Sequence, residues 1–181
     1  MNSNFVIMSF KNMSKQMIYS LFIPICFLVS CQGQIESTEL KFFPIKDLNG
    51  IETQAGIVLD DSVSADANSS IKIQTSKPVV INLFNVSDVR VDDTQLIYQA
   101  KVKSENLKGQ AYLEMWCVFK NKGEYFSRGF DSIITGTTDW KDLRTVFNLR
   151  KNEMPDAIKL NVVVDGIGTV WVDDIHLTKL Y

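Results

Sequence analysis

The segment Ala111–Phe119 (AYLEMWCVF) combines side chains that could bind a ligand with the spacing of a β-strand. Successive side chains of a strand point to opposite faces, so Tyr112, Glu114 and Trp116 share one face while the apolar residues between them share the other. Sugar rings present apolar C–H patches that stack on aromatic rings, and a neighbouring carboxylate accepts hydrogen bonds from their hydroxyls. The pattern therefore predicts a sugar-binding face.

Four more side chains are predicted to belong to this ligand face. Gln99 and Asn161 are expected on neighbouring strands, Arg128 nearby, and Tyr125 at the rim after a glycine-containing turn. An alternative reading stays open, in which a loop covers Tyr112 and Trp116 so that the two rings only complete the core. Phe126 is expected at the same rim, and the competing reading for this group is that Phe126 belongs to the core and Arg128 to the surface.

The residues needed for catalysis are scarce. His176 is the only histidine, and it follows Ile175 in the last strand rather than standing beside a serine or cysteine nucleophile. A catalytic triad or a zinc site therefore lacks side chains. Cys117 alternates with Met115 and is read as a small buried apolar residue. Glu114 has no evident carboxylate partner for glycoside hydrolysis. The sequence predicts a protein that is not an enzyme.

The elements that must position these residues all read as short strands. Alternating apolar residues predict strands at 71–75, 95–103, 110–120, 143–149, 158–164 and 170–177. A continuous apolar run predicts another at 79–84, and a strand interrupted by Gly56 is expected over residues 51–59. Turn residues separate them, among them Asn106–Gly109 and the pair Gly166 and Gly168. About nine short, evenly spaced strands predict an all-β sandwich or barrel.

The last third of the chain carries a resemblance to a known family. The segment Gly136–Trp140 (GTTDW), followed by Ile158–Ile175 (IKLNVVVDGIGTVWVDDI), resembles the end of jelly-roll carbohydrate-binding modules of the galactose-binding-like superfamily. The resemblance implies an antiparallel jelly-roll β-sandwich over residues 40–181 and a glycan ligand. It also implies a structural role for Trp140. Trp171 lies between Val170 and Val172, so its side chain is expected to point to the opposite face of the strand, under a loop.

The same resemblance suggests a structural calcium ion. Asp173 and Asp174 match an aspartate pair near the end of those modules, where one carboxylate often holds the ion. Calcium takes six to eight oxygen ligands, which Asp47, Asn49 or the pair Asp60–Asp61 would have to complete. The competing reading is a solvated acidic strand end.

The N-terminal segment is typical of export rather than of the folded domain. Lys11 and Lys15 precede the apolar run Met17–Val29, which is short for a membrane-spanning helix and fits a helical signal peptide over residues 1–30. The sequence Leu28–Cys31 (LVSC) resembles the bacterial lipobox, whose cysteine receives acyl chains such as palmitate. This predicts lipidation of Cys31, a tether over residues 31–39, and attachment to a membrane of the cell envelope, most simply the outer membrane.

Removal of residues 1–30 takes away two lysines and no acidic residue, so the formal charge falls from −2 to −4. No cluster of basic residues is visible in the remainder, which argues against nucleic acid as a partner. The sequence thus favours a non-catalytic envelope lipoprotein that binds a glycan. The alternatives are a lipoprotein that binds an envelope protein through the same fold and, third, a polysaccharide-degrading enzyme.

Overall fold

The computed structural model describes residues 37–180, which form eight antiparallel strands and no helix. Their bounds are β1 Ser37–Phe43, β2 Ile57–Asp60, β3 Ser70–Thr75, β4 Val79–Ser87, β5 Gln95–Phe119, β6 Gly123–Arg128, β7 Ile134–Asn148 and β8 Ala157–Leu180. Within this range no helix is long and apolar enough to cross a membrane. The predicted signal helix, Cys31 and the first part of the tether lie outside the described residues.

Two long strands, β5 and β8, contribute to both layers of the fold. Residues 108–118 of β5 pair with residues 157–167 of β8, and β4 and β6 flank this pair. We call these four segments the front sheet. Residues 95–105 of β5 pair with residues 169–180 of β8, and β1, β3 and β7 flank them, with β2 beyond β3. These segments form the back sheet.

A single apolar core joins the inner faces of the two sheets. Leu96, Tyr98 and Val102 come from the back-sheet half of β5, whereas Leu113 and Met115 come from its front-sheet half. All five side chains are fully buried. Alternation of buried and exposed residues along each half gives every strand one face toward this core. The prediction of an all-β, antiparallel sandwich is confirmed.

Glycines allow the two long strands to cross between the sheets side by side. Gly109 of β5 stands opposite Gly166 of β8. A Cβ atom on Gly109 would lie 2.2 Å from the backbone oxygen of Asp165, and one on Gly166 would lie 2.1 Å from that of Lys108. Gly109 also has a φ of +123°, which disfavours other residues. Only glycine fits this close approach of two backbones.

This crossing corrects the predicted number of strands. Asn106–Gly109, and the pair Gly166 and Gly168, were expected to be turns between separate strands. The structure instead continues β5 and β8 through them, with irregular pairing between Glu105 and Lys108. Glycines that mark a turn in sequence also mark a bend in a continuous strand, and hydrogen bonding to the neighbouring strand decides between the two.

The N-terminal part of the domain also differs from expectation. β1 begins at Ser37, so three residues assigned to the tether belong to a strand that pairs with the end of β8. The strand expected over residues 51–59 is confined to β2. Glu52 and Thr53 instead donate backbone hydrogen bonds to carbonyl oxygens of β4, which holds this segment against the edge of the front sheet.

Candidate functional site

The outer face of the front sheet carries a depression of about 430 Å³. Five of the seven residues predicted to contact a ligand line it, namely Tyr112, Glu114, Trp116, Arg128 and Asn161. The remaining lining residues are Val80, Glu124, Lys159 and Val163. Pairing of β5 with β8 and β6 explains the grouping, since Asn161 and Arg128 stand directly opposite Glu114 on its two sides.

Glu114 forms the floor of this depression. Its side chain is only 4% exposed. One carboxylate oxygen, Oε1, accepts hydrogen bonds from the Trp116 indole Nε1 at 2.7 Å and from the Asn161 side-chain nitrogen at 3.1 Å. The other oxygen, Oε2, accepts one from Arg128 Nε at 2.7 Å. Burial opposes ionisation of Glu114, yet these three donors outweigh it and hold its pKa below the usual value. The carboxylate therefore stays ionised and fixes three neighbours.

Two pairs of aromatic rings flank Glu114 along the strand direction. Trp116 lies 4.9 Å from Phe126, and the Arg128 guanidinium lies 4.6 Å above the Phe126 ring. At the other end, Tyr112 meets Phe130 edge to face at 4.9 Å. Tyr112 and Trp116 are four residues apart in an extended strand, so the two ring pairs are about 13 Å apart. Phe126 and Phe130 are about half exposed, so part of their ring surface faces solvent.

The two rings of Tyr112 and Trp116 differ in burial, which bears on the alternative that both only complete the core. Tyr112 is buried beside Phe130, whereas Trp116 is half-buried and borders the depression. Both rings lie on the outer face of the sheet, on the side away from the apolar core. Of the two rings, that of Trp116 is therefore the more accessible from the depression.

A salt bridge across β5 was not anticipated from the sequence. Lys159 of β8 and Glu124 of β6 lie on opposite sides of β5, and the Lys159 ammonium lies 2.9 Å and 3.1 Å from the two carboxylate oxygens of Glu124. Both side chains line the depression. Isolated charged residues in strands are usually solvated, so only the pairing of β8, β5 and β6 reveals this contact.

Gln99 and Tyr125, the other two predicted ligand residues, lie elsewhere. Gln99 is in the back-sheet half of β5, opposite His176 of β8, because β5 enters the front sheet only after Glu105. Tyr125 lies one residue before Phe126 and so faces the opposite side of β6. It lines a separate depression of about 300 Å³ with Phe119 and Phe147. The structure does not bring these two residues into the front-sheet depression.

A second, larger depression differs in character from the one over Glu114. It has a volume of about 610 Å³ and lies between β1 and the segment after β4, where Lys41 and Arg90 line it. Among the described residues that line it, the one aromatic ring is that of Phe43, which is stacked at 4.0 Å on Phe84 of the core. Because no ring presents a face here, this depression lacks the aromatic surface that a sugar-binding face needs.

Asp173, one of the two predicted calcium residues, accepts hydrogen bonds from the backbone. Asp173 is fully buried, and its two carboxylate oxygens accept backbone hydrogen bonds from Ala65 at 2.7 Å and Asp174 at 2.8 Å. Burial raises the pKa of Asp173. No group of three or more acidic, histidine or cysteine side chains in residues 37–180 is placed to hold a metal. Asp173 thus fastens the loop before β3 through the Ala65 N–H, and a calcium ion at Asp173 and Asp174 stays a prediction.

Trp171 and His176, which the sequence analysis also considered, lie on the back sheet. Trp171 is buried and donates its indole N–H to Asp60 at 2.9 Å. Hydrogen bonds from Ser62 and Trp171 lower the pKa of Asp60 to about 2. His176 contacts Glu39 at 2.8 Å and Asp174 at 2.9 Å. Trp171 is thus buried in contact with the end of β2, and His176 is remote from the front-sheet depression.

The architecture is that of carbohydrate-binding modules. The domain is similar to a module described as Family 16 Carbohydrate Binding Module-2, with a TM-score of 0.54 and 15% identity, covering 72% of this chain and 91% of that one. It is also similar to the CBM22-1 xylan-binding domain from Paenibacillus barcinonensis Xyn10C, with a TM-score of 0.53 and 13% identity, covering 80% and 92%.

A third similar structure is a xylan-binding domain of CBM 22, with a TM-score of 0.53 and 8% identity, covering 77% of this chain and 93% of that one. Identities this low establish the fold alone. No protein-family model matches the chain. No curated protein matches it either.

Ionised Glu114 predicts a pH dependence of stability. Because folding lowers the pKa of Glu114, its contribution is complete above the ordinary value of 4.5 and is lost as the pH falls through the lower, folded value. Glu114→Gln should cost about 1–3 kcal/mol at pH 7, since an amide NH₂ would face N–H donors. The cost should shrink below pH 4.5. Urea unfolding at several pH values measures it.

Glu105→Gln serves as the control for this series, because Glu105 is an exposed residue of the same strand. It should change stability by less than about 0.5 kcal/mol at any pH. A cost of Glu114→Gln that stays constant down to pH 3 would contradict the assignment of an ionised carboxylate at this position.

Proposed function

We propose that the domain is a non-catalytic glycan-binding module whose ligand lies in the front-sheet depression. The observation that carries the proposal is the combination of the buried, triply hydrogen-bonded Glu114 with aromatic rings on both sides of it. Fixed polar groups between apolar ring surfaces suit a chain of sugar units, whose faces are apolar and whose edges carry hydroxyls. The fold shared with carbohydrate-binding modules supports the same reading.

Unpaired acceptors near the floor add to this chemistry. The side-chain oxygens of Asn161 and of Asn82, which stands opposite it on β4, are buried without a hydrogen-bond partner in the described part of the chain. Buried acceptors are rarely left unpaired. A hydroxyl-rich ligand brings donors, so a modest adjustment of these amides on binding would supply the missing hydrogen bonds.

The geometry gives hydrolysis little support. A general acid must be protonated near neutral pH, whereas three donors keep Glu114 ionised. Glu124, the second carboxylate of the depression, is paired with Lys159. Glu114 therefore lacks the raised pKa expected of the acid in a glycosidase pair. We therefore assign binding, and not bond cleavage, to this site.

A protein partner is the second candidate. Val80, Phe126 and Phe130 are each about half exposed around the depression, and exposed apolar residues at a rim are common in protein interfaces. The Glu114–Arg128 pair separates these residues, however, so they do not form one continuous apolar patch. This arrangement fits a ligand with alternating polar and apolar surfaces better.

Substitution of Trp116 tests the glycan proposal. Trp116→Ala should weaken binding to any glycan that the domain retains by about tenfold or more, because a central aromatic contact is lost. A glycan array followed by calorimetry provides the measurement. Phe42→Ala is the control, since it removes an exposed aromatic ring from the back sheet, away from the depression. Thermal unfolding checks that both variants remain folded.

If the folded Trp116→Ala variant bound the glycan with unchanged affinity, the depression would not be the binding site. Absence of binding to every glycan on the array, with capture of an envelope protein through Phe126 and Phe130, would favour the second candidate.

We further propose that the domain is exported and held at the bacterial cell envelope, most simply at the outer membrane, through lipidated Cys31. The lipobox-like sequence Leu28–Cys31 supports this proposal. At least two acyl chains are needed for stable attachment, and a lipidated N-terminal cysteine provides them. The predicted nine-residue tether, of which three residues belong to β1, would keep the domain close to the membrane surface.

Replacement of the cysteine tests the anchor. In cells fed a labelled fatty acid, the natural chain should carry the label and partition into detergent, whereas Cys31→Ser should do neither. Cys117→Ser is the control, because Cys117 is buried and should leave labelling unchanged. Labelling of the Cys31→Ser chain would contradict the proposed anchor.

A further inference from the structure

The charges of the front-sheet depression are paired among themselves. Arg128 contacts Glu114 at 2.7 Å, and Lys159 contacts Glu124 at 2.9 Å. These two cations and two anions are the only ionisable Lys, Arg, Asp or Glu side chains lining the depression in the described residues. The site therefore presents hydrogen-bonding groups without a surplus of either sign.

The two ion pairs differ in how readily a ligand can disturb them. Glu114 is almost wholly buried and has two further donors, so its pair with Arg128 is part of the floor. Lys159 and Glu124 are 34% and 44% exposed, and their contact crosses β5 at the edge of the depression. Exposed ion pairs contribute little to stability, so a ligand can break the contact between Lys159 and Glu124 at little cost.

An acidic sugar would meet this pair unfavourably. A carboxylate on the ligand would have to compete with Glu124 for the Lys159 ammonium, and the two carboxylates would repel each other across the rim. The Arg128 charge is likewise balanced by Glu114. An uncharged sugar avoids this repulsion, because its hydroxyls can donate to Glu124 and accept from Lys159.

We infer that Glu124 is a specificity-determining residue, which makes the depression select uncharged sugar chains over chains that carry uronic acids. The inference rests on the proposed glycan-binding function of the same site. Glu124 acts by occupying Lys159, so its removal leaves an ammonium group at the rim that can pair with a ligand carboxylate. Glu124→Gln should thus relax the selectivity by strengthening binding to acidic chains.

The test uses neutral hexose polysaccharides and the same polymers oxidised at C6 to uronic acids, so that the compared ligands differ only in the carboxylate. Affinity electrophoresis of the domain in gels containing each polymer gives the ratio of neutral to acidic affinity. The natural sequence should prefer the neutral form at least about fivefold. Glu124→Gln should lower this ratio about twofold to fivefold, chiefly through tighter binding of the acidic form.

Asp142→Asn is the matched control. It breaks the exposed pair between Lys101 and Asp142 on the back sheet and removes the same single negative charge from the protein. If Glu124 acts locally, Asp142→Asn leaves the ratio unchanged. An equal effect of both variants would show that only net charge matters, and would overturn the inference.

The remaining outcomes separate this inference from the proposed function. Equal binding of neutral and acidic polymers by the natural sequence, or an unaltered ratio in Glu124→Gln, overturns the selectivity while leaving glycan binding intact. Failure of the domain to bind any neutral or acidic polymer overturns the proposed function and the inference together. Loss of all binding in Trp116→Ala, alongside a lowered ratio in Glu124→Gln, supports both.

Discussion

The ionised carboxylate of Glu114 is the contact on which the front face of this domain depends. A carboxylate with a side-chain exposure of 4% would be costly to bury alone, and three donors from β5, β6 and β8 offset that cost. The same three hydrogen bonds fix the Trp116 ring, the Arg128 guanidinium and the Asn161 amide. Stability and the shape of the site therefore derive from one group.

The fold supplies the geometry that this contact needs. Glu114 lies in the central part of the front sheet, where β5 is paired on both sides and cannot shift without breaking hydrogen bonds to β6 and β8. The glycines at the crossing let β5 and β8 run side by side from one sheet to the other. Their pairing on both sides of the crossing fixes the register that sets Asn161 beside Glu114. A rigid floor of this kind suits recognition without large rearrangement.

Much of the fold and part of the site could be predicted from the sequence, and the reason is strand periodicity. The alternation over 111–119 placed Tyr112, Glu114 and Trp116 on one face, and the structure keeps them there. The apolar alternation in the other runs indicated the sandwich. These are local patterns, which depend only on the two-residue period of a strand.

What could not be predicted depends on contacts between distant segments. Gln99 was expected on a strand next to that of Glu114, yet both residues belong to β5, which changes sheets between them. The ion pair between Lys159 and Glu124 could not be predicted, because the two residues come together only through the pairing of β8, β5 and β6. The contact of Asp173 is a further example, because the Ala65 N–H that donates to it comes from a loop more than a hundred positions earlier.

The most direct test of the central claim is nuclear magnetic resonance of the tryptophan indole groups during titration with a neutral oligosaccharide. Trp116 donates its indole N–H to Glu114 on the front sheet, whereas Trp171 donates its own to Asp60 on the back sheet. If the ligand binds over Glu114, the Trp116 indole resonance shifts with saturation while that of Trp171 stays unchanged. A saturating ligand that shifts the Trp171 resonance and leaves the Trp116 resonance unchanged would contradict binding at this site.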